Sequence, residues 1–379
     1  MELSDYRKKI DSIDDKLLEL FRERMTLSRE IGRLKQQEHT PVLNPERERE
    51  ILLRVSREAG PELGDYTRVL FQMLFELSRS YQHACSGTNP LAQMLLCARA
   101  ETPELFPAAG TVACQGVEGA YSQLACDKLF KLADIMYVNS FAGVFQAVDS
   151  GLCEYGVLPI ENSLRGTVGE VYDLLCEHRL YIVRGVKLHV NHELLVKPGT
   201  KLSDLRHIYS HEQALGQCSK FLKSLPGVEL QLCENTAVAA KFVAETADKS
   251  IGAIASPECA QLYGLEKLPV QIRDSDHNYT RFICIAKKPA IYPGANRISI
   301  TVAVPHRPGS LYRLISRFSA LGVNLLKLES RPVPGRDFEF RFYLDFEASV
   351  CDAEVAKLLG ELSGSGEDFV FLGNYSEMV

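Results

Sequence analysis

The sequence predicts a multidomain chain: an all-α region of three helices, a two-lobed α/β region, and a closing βαββαβ region. Three observations carry this. Residues 1–85 hold a sustained seven-residue apolar repeat. Residues 111–286 alternate short apolar strands with helical stretches, as α/β domains do. Residues 297–376 read strand, helix, strand, strand, helix, strand. The segments 86–110 and 287–296 shift toward Pro, Gly and Ala and read as linkers, and no internal repeat relates the three regions.

In the first helix, Leu3, Ile10, Leu17, Arg24 and Ile31 form one line of the repeat, and Tyr6, Ile13, Leu20, Leu27 and Leu34 the other. A guanidinium at a seam position loses several kcal/mol of hydration unless an anion meets it. Arg7 and Lys35 flank the seam at one heptad phase, so three cations aim at a packing surface and predict a buried anionic ligand. At 1.5 Å per residue, Arg24 and Lys35 lie roughly 16 Å apart and Arg7 and Lys35 roughly 42 Å. Arg7 can therefore serve the Lys35 end only from a second, antiparallel copy, which predicts a homodimer with two shared sites. Whether the dimer grows to a tetramer stays open. A solvated basic flank with one snorkelling arginine accounts for the pattern equally well.

The stretch from His39 to Pro45 interrupts this helix. Asn44 as N-cap and Pro45 at the first helical position restart it. The second helix should end near Gly60-Pro61, the third run from about Tyr66 to Tyr81, and a short one sit near Met94. So thin a helical core fits obligate dimerisation. In the middle region, 112–114, 155–158, 181–183, 208–209, 251–254 and 282–285 read as strands, in a span long enough for two lobes and a cleft. In the last region the strands are 298–304, 323–330, 338–346 and 368–373, with helices 310–321 and 352–363. That order is the ferredoxin-like plan.

Composition narrows the function. A net charge of −6 and pI near 5.9 argue against nucleic acid as a partner. No apolar run approaches the ~20 residues of a membrane span, and the charged start MELSDYRKKID is no signal peptide. The expected location is cytoplasmic. The 11 cysteines include no C-x-x-C and read as buried reduced thiols. The nine histidines do not pair with them at ligand spacing, so no metal site is expected.

Arg7, Arg24, Lys35, Arg47, Glu48, Ser78 and Gln82, taken together, resemble the helical chorismate mutases over nearly all of residues 1–85. The resemblance implies an intertwined dimer that rearranges chorismate to prephenate by folding the substrate and stabilising charge on its ether oxygen. Arg24 and the partner copy's Arg7 would clamp the carboxylates, with Arg47 in support. Lys35 and Gln82 would donate to the ether oxygen, and Glu48 would hold the ring hydroxyl. Ser78 lies one helical turn from Gln82 and faces the same side. Asn44 stands where the family often has Asp, and also reads as a plain cap.

The middle region carries Gly116-Val-Glu118-Gly119-Ala-Tyr-Ser122, Leu158-Pro-Ile-Glu161-Asn162-Ser163, Tyr209-Ser210-His211-Glu-Gln213-Ala-Leu-Gly-Gln217-Cys218 and Asn278-Tyr-Thr280-Arg281-Phe282. Singly these are ordinary loop sequences. In this order they are similar to prephenate dehydratase, which implies a two-lobed, periplasmic-binding-protein-like domain. Ala120 departs from the hydroxyl residue common at that turn. Prephenate would lose CO₂ and hydroxide together, with Thr280 donating a hydrogen bond to the leaving hydroxide. Glu161, Asn162, Ser163, Ser210, Gln213 and Gln217 would line the cleft, Arg281 would meet a carboxylate, and His211 is a lesser candidate acid. The departing carboxylate supplies the electrons, so no cofactor is implied.

Pro308, Gly309, Ser310 and Leu311 after Arg307, with Glu329, Ser330, Arg331 and Pro332, resemble the ACT regulatory domain. That implies phenylalanine as effector, bound where Gly309 lets backbone amides meet a carboxylate. The family often has Ala at Ser310. The expected whole is a bifunctional enzyme taking chorismate through prephenate to phenylpyruvate. Two rivals remain: an arogenate dehydratase, accepting an amine where prephenate has a ketone, and a non-catalytic amino-acid sensor.

Overall fold

The computed structural model describes residues 2–38, 40, 42–84, 90–333, 335, 339–364 and 368–378. His39 and Pro41 of the expected break, 85–89 of the first linker, and Pro334 and 336–338 of the turn in the last region lie outside them. The chain forms two units, Met1–Cys97 with Thr301–Phe369, and Ala98–Ile300 with Val370–Val379.

In the first unit, α1 (Leu3–Gln37) is followed by α2 (Pro45–Glu58), α3 (Gly60–Ala84) and α4 (Pro90–Glu101). Asn44 caps α2 by accepting from the Arg47 amide at 3.1 Å, with Pro45 at the first helical position. α2 ends beside Gly60-Pro61 as expected, and those two residues then open α3, ahead of the expected start near Tyr66. Gly60 makes the turn at φ 75°, and Pro61 follows in the first turn, where a missing amide proton is no loss. The heptad seam of α1 is not its packing face within the chain. Leu3, Ile10, Leu17, Leu20, Leu27 and Leu34 are all exposed, and the helix buries only Ser28 and Gly32. It meets α3 through Arg24, the polar position of the seam, and through Met25 and Gly32 beside it.

The second unit holds two sheets. Chain order in the first lobe is β1 (Ala109–Gln115), α5 (Tyr121–Leu129), β2 (Leu132–Val138), α6 (Phe141–Asp149), β3 (Tyr155–Asn162), β4 (Gly166–Thr167), α7 (Gly169–His178) and β5 (Tyr181–His189). The second lobe follows with β6 (Glu193–Val196), β7 (His207–Ser210), α8 (Glu212–Gln217), α9 (Ser219–Lys223), β8 (Glu229–Leu232), α10 (Thr236–Glu245), β9 (Ile251–Ala255), α11 (Pro257–Tyr263) and β10 (Glu266–Lys267). The chain then returns to the first lobe as β11 (Tyr279–Ala286), in the centre of its sheet between β5 and β3. The second sheet runs β10-β6-β9-β7-β8. The chain thus crosses between lobes twice, and the crossings are tied where the Val190 amide donates to the Asn278 carbonyl at 2.8 Å. Buried aliphatic and cysteine side chains, among them Cys114, Cys126 and Cys284, fill the first lobe's core.

The last region is β12 (Arg297–Val304), α12 (Ser310–Ala320), β13 (Asn324–Pro332), β14 (Phe340–Glu347), α13 (Ala353–Gly364) and β15 (Phe369–Tyr375), its sheet ordered β13-β14-β12-β15. The terminal strand β16 (Glu377–Met378) leaves this sheet and pairs with β5. Among the described residues no helix is long and apolar enough to cross a membrane.

Candidate active sites

In the helical unit, Arg24 donates to the Leu74 carbonyl at 2.9 Å and to the Ser78 hydroxyl, and sits 5.8 Å from the Phe75 ring centroid. Partial burial lowers its pKa from the ordinary value, because removing a guanidinium from water penalises its charge. Two turns along α1, Gly32 brings the helix close to Gln82, whose Cγ a Cβ at Gly32 would meet at 3.0 Å. Gln82 is buried, and among the described residues its Oε1 has no hydrogen-bond partner. A buried unpaired amide oxygen costs about 1–3 kcal/mol, which a ligand donor would relieve. Lys35 donates to the Val42 carbonyl at 2.7 Å.

Arg24 with Ser78 and Gly32 with Gln82 therefore meet at the α1–α3 contact, and Lys35, one turn beyond Gly32, lies on the same face of α1. Glu48 pairs with Arg79, a residue that the sequence reading missed. Arg47 is exposed and pairs with Glu50 at 2.6 Å, and Asn44 is spent on its cap. Arg7 is exposed on α1, far along the helix.

In the α/β unit a line of hydrogen bonds crosses between the lobes. The Asn162 amide lies 2.9 Å from the Thr280 hydroxyl and 2.9 Å from the Asn278 carbonyl oxygen of its side chain. Its orientation is fixed by its own Oδ1, which accepts from the amides of Leu164 and Arg165, both at 3.0 Å. Asn278 donates to Gln217 Oε1 at 2.8 Å, and His192 Nε2 does the same at 2.8 Å. The Tyr121 hydroxyl donates to the Asn191 carbonyl at 2.8 Å beside the His192 ring. Burial pushes the His192 pKa down to about 4, against a smaller upward pull from Gln217. The Asn162 amide also lies 3.2 Å from the Tyr279 carbonyl, and among the described residues the Thr280 hydroxyl has no acceptor for its own proton.

Ser163 staples the end of β3 to the start of β11, donating to the His277 carbonyl at 3.2 Å and accepting from the Tyr279 amide at 2.9 Å. Gln213 is exposed in the first turn of α8, whose cap is His211. Burial lowers the His211 pKa, offset in part by Glu212 and pushed down further by Arg165.

Two of the expected residues make other contacts within the chain. Ser210 is fully buried and donates to the Ile254 carbonyl at 2.6 Å, so it ties β7 to β9. Arg281 follows Thr280 on a strand, where neighbours point to opposite faces. It is 8% exposed and bonds Glu377 at 2.6 Å and the Tyr375 hydroxyl at 2.5 Å, with Glu161 at 3.8 Å. Arg281 and Glu161 thus belong to the opposite face from the Asn162–Thr280 pair.

In the last region Gly309 takes φ 80° as the N-cap of α12, and Arg313 donates to Ser310 Oγ at 2.9 Å and the Pro308 carbonyl at 3.4 Å. Leu311 is half-buried. Glu329, Ser330, Arg331 and Pro332 lie on β13, the edge strand beside β14. Among the described residues no group of three or more His, Cys, Asp or Glu side chains gathers as a metal site.

Comparison with known proteins gives two family matches along the chain. A family profile described as chorismate mutase type II matches residues 6–83, and one described as prephenate dehydratase matches residues 112–290. The bifunctional chorismate mutase/prephenate dehydratase of Escherichia coli strain K12 is 33% identical over 97% of this chain and 95% of its own length. The chain belongs to the bifunctional chorismate mutase/prephenate dehydratase family. Its relatives include arogenate dehydratase 2 of Petunia hybrida, 37% identical over 76% of this chain and 77% of that protein. The structure of a prephenate dehydratase from Arthrobacter aurescens in complex with L-Phe is also similar, 27% identical with a TM-score of 0.65, covering 70% of this chain and 90% of that one.

Within a member of this family, Gly32 is the residue whose signal was readable and unread. A lone glycine inside a long helix costs about 1 kcal/mol against alanine and marks a close approach. Arg79, by contrast, looks from sequence like any exposed helix charge.

Proposed function

We propose that the chain converts chorismate to prephenate in its helical region and prephenate to phenylpyruvate in its α/β region, under feedback by phenylalanine. On this reading residues 1–85 are the mutase, 111–286 the dehydratase and 297–376 an ACT domain on the ferredoxin-like plan, joined by linkers at 86–110 and 287–296.

The mutase needs no nucleophile. Arg24 takes one carboxylate by leaving the Leu74 carbonyl, and Arg7 of a second copy takes the other. Lys35 turns from the Val42 carbonyl to the ether oxygen, joined by the Gln82 amide, and these donors act more strongly as the C–O bond breaks. Glu48, held by Arg79, receives the ring hydroxyl.

The single observation that carries the dehydratase half is Thr280, its oxygen satisfied by Asn162 and its proton free to donate. As the ring carboxylate leaves as CO₂, its bonding electrons enter the ring and expel the hydroxyl group at the far carbon. Thr280 stabilises the departing oxygen, and the ring becomes aromatic. The residue set for phenylalanine is Pro308, Gly309, Ser310 and Leu311 with Glu329, Ser330, Arg331 and Pro332.

Purified protein incubated with chorismate should form prephenate first and phenylpyruvate later, and phenylalanine should suppress the second product. Lys35→Ala should lower mutase turnover by ~10²–10³ while sparing turnover of added prephenate, since a preorganised donor is lost. Formation of neither product from either substrate would sink the reading in favour of a sensor. The similarity to a petunia arogenate dehydratase makes the amino-acid substrate the second reading, and turnover of prephenate and arogenate side by side decides between them.

A further inference from the structure

With Arg281 turned into its ion pairs, the Thr280 face of the groove needs another cation for a dianionic substrate. We propose that Arg165, on the loop after β3, receives a carboxylate of the dehydratase substrate and that its charge selects a keto-acid side chain over an amino-acid one. The inference deepens the dehydratase reading and rests on it.

Three observations place Arg165. Its amide donates at 3.0 Å to Asn162 Oδ1, the atom that fixes how Asn162 faces Thr280, so the loop and the reacting hydroxyl share one anchor. Its guanidinium crosses to the other lobe and lies on Gly216 of α8, so close that a Cβ there would collide with Nη2. Its charge is felt at His211, the cap of that helix, whose pKa it lowers after burial has done so. Gly216 sits inside a helix, where glycine is unfavourable by about 1 kcal/mol against alanine. Space for the arginine is the return.

The substrate's chemistry fits this placement. In prephenate the hydroxyl that leaves and the carbon bearing both the carboxylate and the keto-acid arm are para on the ring. A group holding the arm therefore belongs a ring's length from Thr280, within reach of a long side chain anchored beside Asn162. Arogenate differs by an ammonium on that arm. A guanidinium there attracts the carboxylate of either compound and repels the ammonium of one, so discrimination comes from a repulsive element.

Steady-state kinetics of Arg165→Met on both substrates test this, with mutase activity as the reporter of intact folding. The KM for prephenate should rise roughly tenfold or more with kcat changed far less, because ground-state binding is what is lost. The ratio of kcat/KM for prephenate over arogenate should fall by about tenfold, and Arg165→Lys should restore most of it. Gly216→Ala, which displaces the guanidinium without removing it, should move the ratio the same way. An unchanged KM for prephenate in Arg165→Met overturns the assignment, and equal losses on both substrates overturn the selectivity. Wild-type protein inert on both substrates would instead overturn the dehydratase reading itself.

A second inference comes independently from the helical unit, and rests on phenylalanine being the effector. Arg313, bonded to Pro308 and Ser310 of the α12 turn, also meets Glu76 at 3.1 Å. Glu76 holds Arg79 at 2.5 Å, and Arg79 holds Glu48. We infer that this line of ion pairs carries effector binding to the mutase. A carboxylate at the turn competes for Arg313, Glu76 turns fully to Arg79, and Glu48 loses its partner.

In wild-type protein phenylalanine should change mutase kcat/KM by roughly three- to tenfold. In Glu76→Gln, phenylalanine should still bind by calorimetry and still inhibit the dehydratase, while the mutase response disappears. A mutase response in Glu76→Gln equal to wild type overturns the coupling, as does a wild-type mutase indifferent to bound phenylalanine. Absence of phenylalanine binding to wild type overturns the effector reading beneath it.

Discussion

His192 shows how a side chain can matter for its proton without moving it. It is 4% exposed, donates to Gln217, and lies on the first of the two crossings between lobes. Its imidazole titrates at about 4 when folded against an ordinary 6.5, because burial penalises the charged ring. Between those values the unfolded chain holds the extra proton and the folded chain does not. Stability contributed by the neutral, buried ring is thus present above pH 6.5 and is lost as pH falls toward 4, by about 3 kcal/mol across the interval. Denaturant unfolding followed by circular dichroism at stepped pH should show this loss in the wild type and a shallower one in His192→Gln. Identical pH slopes for the two proteins would contradict it. The same protonation would put a second N–H at Nδ1, which faces the Tyr121 hydroxyl at 3.4 Å, while the Nε2 bond to Gln217 Oε1 persists.

At the scale of elements, the α1–α3 contact is set by Gly32. Gly32→Ala should strengthen α1 as a helix by about 1 kcal/mol, yet it places a methyl 3.0 Å from Gln82 Cγ and 3.1 Å from its Cβ. The expected result is a Tm within a few degrees of wild type and a mutase rate lowered at least tenfold, because a misplaced donor forfeits transition-state stabilisation. Full activity with unchanged stability would show that Gln82 can shift freely. The same contact explains what was legible in the chain. A period of seven identified α1 as a long helix, since apolar spacing depends only on the helix's own geometry. It pointed to the seam, however, and the chain's own contact lies at the seam's polar position, Arg24, and at Met25 and Gly32 beside it, where no apolar periodicity exists to be read. Among strands with buried apolar runs, β9 and β11 were equally plain, while β6, only four residues long, was too short to show a pattern. The edge strands β2 and β8, exposed along much of their length, lacked that signal. The ion pair of Arg281 was illegible for a different reason: its partner Glu377 is 96 residues away, on a two-residue strand that no local pattern announces.

For the whole molecule, the exposed seam of α1 is the feature that one chain does not explain. Tyr6, Ile10, Ile13, Leu17, Leu20, Leu27, Ile31 and Leu34 are each between 46% and 61% exposed. A continuous apolar stripe of that length on a 35-residue helix is characteristic of an interface. An antiparallel second copy would cover it and bring Arg7 to the Lys35 end, which Arg7 of the same helix cannot reach at a separation of roughly 42 Å. Sharing of this kind has a consequence that independent sites lack. Arg7→Ala and Lys35→Ala should each abolish mutase activity alone, but a dimer containing one of each has both losses in one site and an intact second site. Denatured and refolded as an equimolar mixture, the two inactive proteins should recover about a quarter of wild-type mutase activity, half the dimers being mixed with one good site in two. Dehydratase activity, built within one chain, should stay constant through the mixing and serve as the refolding standard. If the mixture stays as inactive as its components while dehydratase activity returns, Arg7 does not act across the interface, and the cation at the α1 start is a surface charge.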